Sequence, residues 1–397
     1  MTGGSRFLPD PTDLEAAWSD FADRMKTVGR SLTGDAFPFD PRMRAEGYRY
    51  LGRLISLARQ IYIDFGDPSR PCLFRYGDDI TPFGATNVDN NYYRAAIDPA
   101  GTYRISGDVE GVKELLFSVQ DGEFVLGRTA VLAEASLGDL ELGADGALEL
   151  VLGGPERGSN WLPLDTGAEY INVREFVADW EHDALASLYI ERVDAVGPAG
   201  NPEPAAMATA LDRAATWVEA SIRVWNQFGA GLRTVFPTNS LTPPRPAEGG
   251  ALNMLHGGCQ WDLEPGQALV IELERPEVTY WSIQTYLLEW LLPLDFANRV
   301  TSLNDRQVHV DGDGRVRVVL ADDDPGVQNW LDTSGLRTGL MTYRYVRPTT
   351  APAPTSTVAP LDEVRRSLPA STPVFSAADR RAQIGARRRG VARRFRR

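Results

Sequence analysis

The chain has 397 residues, 43% of them hydrophobic, with a mean hydropathy of -0.26 and a net charge of -13. That length supports two or three domains with buried cores, and no apolar run approaches the ~20 residues of a membrane-spanning helix. Nine arginines and no acid fall between Arg380 and Arg397, so the preceding body holds 32 basic against 54 acidic residues, a balance of -22 that argues against DNA binding by the folded body.

In chain order, Thr12-Asp13-Leu14-Glu15 has capping-box spacing, and Leu14, Trp18, Phe21, Met25 and Val28 follow at helical spacing as a packing face. Asp40-Pro41 pairs an N-cap residue with a proline at the first helical position. Residues 1–73 therefore read as an N-terminal helical region. From 74 to 200 the period changes to short apolar runs punctuated by Gly, Asp and Pro, which predicts a first antiparallel β unit. Within it, Trp180 to Val193 fits a turn followed by an outer strand. Residues 201–250 read as a helix from Pro204 to Phe228 and a Pro-rich connection. Residues 251–347 read as a second β unit. The tail, 348–397, is Pro-rich and then Arg-rich; it is predicted to be largely disordered and dispensable for folding.

The two β units share ordered anchors. Phe117-Ser118-Val119-Gln120, Ser136-Leu137, Asp145-Gly146, Asn160-Trp161-Leu162 and Val173-Arg174-Glu175 recur as Trp281-Ser282-Ile283-Gln284, Ser302-Leu303, Asp311-Gly312-Asp313-Gly314, Asn329-Trp330-Leu331 and Tyr343-Arg344-Tyr345. This predicts an internal duplication: a mainly β protein of two antiparallel β-sandwich or jelly-roll units, with helices at the front and between them. Each Asn should hydrogen-bond backbone in a corner and each Trp should plug its sandwich. Residues present in both copies read as architecture, and residues in one copy as places where function diverged.

The runs Asn87-Val88-Asp89-Asn90-Asn91-Tyr92-Tyr93, Gly101 to Ile105, Arg174-Glu175-Phe176 with Asp179-Trp180, and Trp281-Ser282-Ile283 through Asn298-Arg299 to Asn329-Trp330-Leu331 resemble a bacterial family, domain of unknown function 1214. The resemblance covers most of Thr81 to Pro348. It implies a β-rich fold, often partnered with the related domain of unknown function 1254, and no established activity.

Candidate site residues therefore come from side-chain chemistry. Asp89 is a candidate acid or base, and Asn87, Asn91, Tyr92 and Arg94 are candidate ligand contacts beside it. The rival reading is an Asx-rich turn feeding a strand. Arg299 is a candidate anion stabiliser, with Asn298, Asn304 and Tyr286 near it along an aromatic stretch. The rival there is a structural ion pair with Asp295 or Asp305. His182, between Glu181 and Asp183, is a second candidate base. The Asn87–Arg94 run lacks the glycine and distal glutamate of a calcium loop, and three scattered histidines make a poor zinc set. We expect no metal and no cofactor. The expected function is to bind or transform a small, mostly apolar molecule in a cleft, with metal-independent hydrolysis or elimination as the chemistry. The alternative is a non-catalytic assembly or interaction protein. A homo-oligomer, and an anionic partner for the Arg-rich tail, stay open. Cys72 and Cys259 form no cluster, and residues 1–6 carry no apolar leader core, so the expected location is cytoplasmic.

Overall fold

The computed structural model describes residues 13–33, 40–128, 130–194, 203–246 and 253–395. Thr12 and the linker read at 197–202 lie outside these residues. The protein is mainly β, with four sheets in two groups, helices at the N-terminus and one long helix between the groups.

The duplication is visible strand by strand. In unit one the first sheet has the spatial order Phe74–Tyr76, Asn90–Ala96, Tyr170–Phe176, Leu115–Gln120, Val131–Ser136. In unit two it has the order Arg245–Pro246, Met254–Asp262, Thr338–Val346, Tyr280–Leu287, with Leu292–Pro293 and Ser302–Asn304 both paired to Tyr280–Leu287. The second sheets match in the same way. One runs Trp161–Leu162, Ala147–Leu152, Tyr103–Asp108, Ser187–Arg192; the other runs Trp330–Asp332, Arg315–Ala321, Gln267–Glu274, Thr355–Pro360. Each contains a single parallel pair at the same place, Val151 beside Trp161 and Val319 beside Trp330.

The corners repeat atom for atom. Asn160 Nδ2 donates to the carbonyls of Glu141 and Glu149, both at 2.8 Å, and its Oδ1 accepts from Glu141 N. Asn329 Nδ2 donates to the carbonyls of His309 and Arg317 at 2.7 and 2.9 Å, and its Oδ1 accepts from His309 N. One side chain thus satisfies three backbone groups where the chain leaves a ladder.

The tryptophans correct one expectation. Each indole N–H donates to a carbonyl at 2.9 Å, Gly153 for Trp161 and Ala321 for Trp330. Neither side chain plugs its sandwich. Strand alternation sends Trp330 to the outer face of its sheet, with Ala268, Val319 and Ala321, under Val364 and Leu368. Among the described residues the equivalent face of unit one carries no counterpart of Val364 and Leu368, and Trp161 is only half-buried. Trp330→Ala should therefore cost about 3–5 kcal/mol in a denaturant melt and Trp161→Ala clearly less, about 1–2 kcal/mol. Equal losses would contradict the assignment.

Among the described residues five α-helices complete the fold: α1 Leu14–Ser31, α2 Pro41–Arg59, α3 Pro204–Val235, α4 Leu361–Ser367 and α5 Ala377–Phe395. Asp13 caps α1 by accepting from Ala16 N, and Asp40 caps α2 by accepting from Met43 N, each at 2.9 Å. The predicted packing stripe of α1 holds only in its second half. Met25 and Val28 are buried, whereas Leu14 and Trp18 are exposed. Buried Arg24 ties α1 to α3 through Asp212 and Glu219 at 2.8 and 2.7 Å. Residues of α1, α2 and α3 share one core cluster with the interior of unit two, including Leu54, Trp217, Trp261 and Tyr343. Unit one has its own core around Ile105, Phe117, Leu150 and Val173.

The tail is the largest correction. Instead of disorder, Thr355–Pro360 forms the edge strand that completes unit two, paired along Gln267–Glu272. Helix α5 then lies across the body with Arg380, Arg387 and Arg394 buried. These arginines are seven residues apart, so they share one helix face. Composition alone suggested a solvated tail; the structure satisfies each guanidinium inside the body.

Candidate functional site

Where the first sheets of both units meet the C-terminal half of α3, they form a half-open cavity of about 380 Å³. One wall is aromatic. Trp225, Phe228 and Leu232 fall on one face of α3 and line it. Phe124 stacks on Trp225 at 5.0 Å, and Phe228 meets Phe124 and Trp225 edge-on at 6.0 and 5.8 Å. Two glycines allow this approach. A Cβ on Gly84, where φ is +60°, would stand 2.6 Å from the Trp225 ring. A Cβ on Gly229 would stand 2.4 Å from the Leu288 carbonyl.

The opposite wall is polar and comes from strand alternation. Asn90, Tyr92 and Arg94 project into the cavity from one strand of unit one; Tyr170, Asn172 and Arg174 project from its neighbour. Met254 and His256, with Leu340, Thr342 and Arg344, take the equivalent places in unit two. Tyr92 is paired with Arg174 in register, and His256 with Arg344.

These polar groups differ in how they are satisfied. Arg94 is held by Glu123 at 2.7 Å and lies over the Tyr170 ring at 3.9 Å. Glu123 also accepts from Trp217 Nε1 at 3.0 Å. Arg344 Nη2 donates to Tyr286 Oη at 2.6 Å, while its Nε is buried without a partner. Arg174 Nη1 and Trp225 Nε1 are likewise buried and unpartnered. Burial, reinforced by Arg344 and Arg174, pushes His256 down from 6.5 to about 3. The folded state therefore resists a proton that the unfolded chain accepts, and stability falls as pH drops from 6.5 toward 3. His256→Asn should flatten that acid limb in pH-dependent urea melts. A parallel curve for the variant would contradict a neutral His256.

The run from Asn87 to Asn91 serves a different place. Asp89 is fully buried; its carboxylate accepts from Trp180 Nε1 at 2.7 Å and from Tyr280 Oη at 2.5 Å. Asn87 Nδ2 donates to Asn90 Oδ1 and to Tyr280 Oη at 2.9 and 3.0 Å. Asn91 Nδ2 donates to Glu175 Oε2 at 2.6 Å, and its Oδ1 accepts from Arg394. Arg394 also donates to the Val88 carbonyl at 2.7 Å, and Arg387 donates to Ser302 Oγ at 2.6 Å and to the Phe296 carbonyl at 2.9 Å. Both guanidiniums lie over the Trp180 ring, at 4.5 and 5.0 Å. Burial pushes both down to about 10, with Asp89 acting against it in each case. This hub joins unit one, unit two and α5.

Of the residues expected to form a site, the cavity wall contains Tyr92 and Arg94, and Tyr286 stands behind it holding Arg344. Asp89, Asn87 and Asn91 belong to the hub. Asn304 is buried and donates to the Ala178 carbonyl at 3.0 Å. His182 is on an exposed turn beside Asp179 at 3.0 Å. Arg299 is half-exposed, paired with Asp332 at 2.9 Å, and Asn298 bonds Asp295 at 3.0 Å. Those two line a separate, more polar cavity of about 680 Å³ with Arg42 and Asp79. Asp89, His182 and Arg299 therefore do not converge. The sequence reading missed Arg174, His256, Arg344, Phe124 and Trp225 as cavity residues. A signal was present in Tyr170-x-Asn172-x-Arg174, polar groups at period two within an apolar strand. No group of His, Cys, Asp and Glu among the described residues could hold a metal ion, and no described helix is long and apolar enough to cross a membrane.

Known proteins resemble this chain as follows. A crystal structure of an uncharacterized protein from Burkholderia cenocepacia is 31% identical, covering 89% of this chain and 100% of that one at a TM-score of 0.83. The VPA0106 protein from Vibrio parahaemolyticus is 12% identical, covering 79% of this chain and 98% of that one at a TM-score of 0.44. No curated protein matches the chain. The model of the family described as protein of unknown function (DUF1214) matches residues 250–350, which hold most of the second unit. Over residues 250–350 the chain resembles the DUF1214 family, and over nearly its whole length it is similar to the Burkholderia protein.

Proposed function

We propose that this protein binds a small, mostly apolar molecule in the cavity between its two β units. The observation that carries the reading is the cavity itself, about 380 Å³, with Phe124, Trp225 and Phe228 stacked along one wall and polar groups converging on the other. Ligand sites of this size combine an apolar lining with a few placed polar groups. Junctions between structural units are where such sites occur most often. The cavity is assembled by both units and α3, so an occupant would contact all three at once.

The test uses the neutral probe N-phenyl-1-naphthylamine, whose fluorescence rises in apolar surroundings. Saturable binding at one site per chain is expected, and Leu232→Trp, which fills the cavity from α3, should weaken it by at least about tenfold. Non-saturable fluorescence, or binding unchanged by Leu232→Trp in a folded variant, would overturn the reading.

A further inference from the structure

We propose that the molecule bound in this cavity carries a carboxylate, seated between Arg174 and Arg344, on an apolar body that lies along the aromatic wall. The inference rests on reading the cavity as a small-molecule site, and it names the class of ligand.

Arg174 and Arg344 occupy equivalent positions in the duplicated units, each on the third strand of its first sheet. The duplication thus delivers one guanidinium from each unit to a single cavity, and both act on His256. Arg344 is only 6% exposed, and its Nε has no partner. Arg174 Nη1 is also buried without one. Among the described residues neither forms an ion pair with a carboxylate. The other two arginines of the cavity do: Arg94 pairs with Glu123, and Arg128 with Glu169. His256 is neutral and offsets nothing. The wall therefore carries two positive charges without a counter-charge.

A buried guanidinium without a counter-ion is one of the costliest arrangements a fold can hold. Arg344, deeply buried, and Arg174, half-buried with its Nη1 shut away from water, face one space and form a seat for an anion. A carboxylate is the matching shape, because its two planar oxygens accept from the fork of a guanidinium. The remaining donors fit the same group: Asn90, Tyr92 and Thr342 border the arginines. At the other side, Phe124, Trp225 and Phe228 leave no role for a second charge. The ligand is then a singly charged amphiphile, head to the strands and body to α3.

The experiment displaces N-phenyl-1-naphthylamine from the full chain with decanoate, decan-1-ol and decylammonium. Decanoate should displace the probe at a concentration about tenfold or more below that of decan-1-ol, and decylammonium should be the weakest. Arg344→Met and Arg174→Met should each bring decanoate to the level of decan-1-ol and leave decan-1-ol unchanged. Arg174→Met carries the test alone should Arg344→Met not fold. Equal displacement by decanoate and decan-1-ol in the unmodified protein would overturn the carboxylate seat while leaving the cavity reading standing. A preference for decanoate that survives in folded Arg174→Met would also overturn it. Failure of the probe itself to bind would instead sink the cavity reading, and that is seen before any competitor is added.

Discussion

Truncation after Arg347 should abolish the cooperative fold. The cut removes Thr355–Pro360, which pairs with six consecutive residues of the strand Gln267–Glu274. It uncovers the outer face holding Ala268, Val319 and Trp330, which α4 covers through Val364 and Leu368. It also takes away Arg387 and Arg394, which bond two segments far apart in the chain, Val88 to Asn91 and Phe296 to Ser302. An edge strand, an apolar cover and two buried charges are lost together, so the expected loss exceeds about 5 kcal/mol, comparable with the whole stability of a typical domain. Calorimetry should show no cooperative transition, or one at a far lower temperature. A truncated chain that melts within a few degrees of the full one would mean that α5 adds little to the body.

Asp89→Asn is expected to have the second-largest effect. The substitution keeps the shape and removes the charge. Asp89 is the carboxylate acting on both Arg387 and Arg394, and Tyr280 and Trp180 both donate to it. Asparagine would turn donor groups toward neighbours that are themselves donors, and would leave two buried guanidiniums under-compensated. Breaking a buried charge network in this way costs about 3–5 kcal/mol. Asp295→Asn, at an exposed turn with Asn298, should cost below about 1 kcal/mol in the same urea titration. A loss below about 1 kcal/mol at Asp89 would show that the hub is not what joins the tail to the two units.

The architecture was legible because duplication writes the same turn and corner residues twice. Asn160 and Asn329 do the same backbone work, and the strand orders agree. Where the reading failed, the reason is physical. The tail has few apolar residues, and composition cannot reveal that Arg380, Arg387 and Arg394 share a helix face matched by carbonyls and carboxylates elsewhere. The Asn87–Asn91 run has the chemistry of a site, but its partners, Trp180, Tyr280 and Arg394, are remote in sequence. The cavity was missed for a more specific reason. Residues common to both copies read as architecture, yet Arg174 and Arg344 are common to both, and the two units place them on one shared cavity. In a duplicated protein whose copies face each other, a repeated residue can be half of one site.

Whether the junction cavity holds a ligand is decided most directly by a crystal structure of the full chain with N-phenyl-1-naphthylamine bound. The naphthyl ring should lie against Phe124 and Trp225, inside the cavity beside α3, with Arg174 and Arg344 on the far wall. Ligand density confined to the cavity near Arg299, to the turn carrying His182, or to the outer surface, with the junction cavity left filled by side chains alone, would contradict that placement.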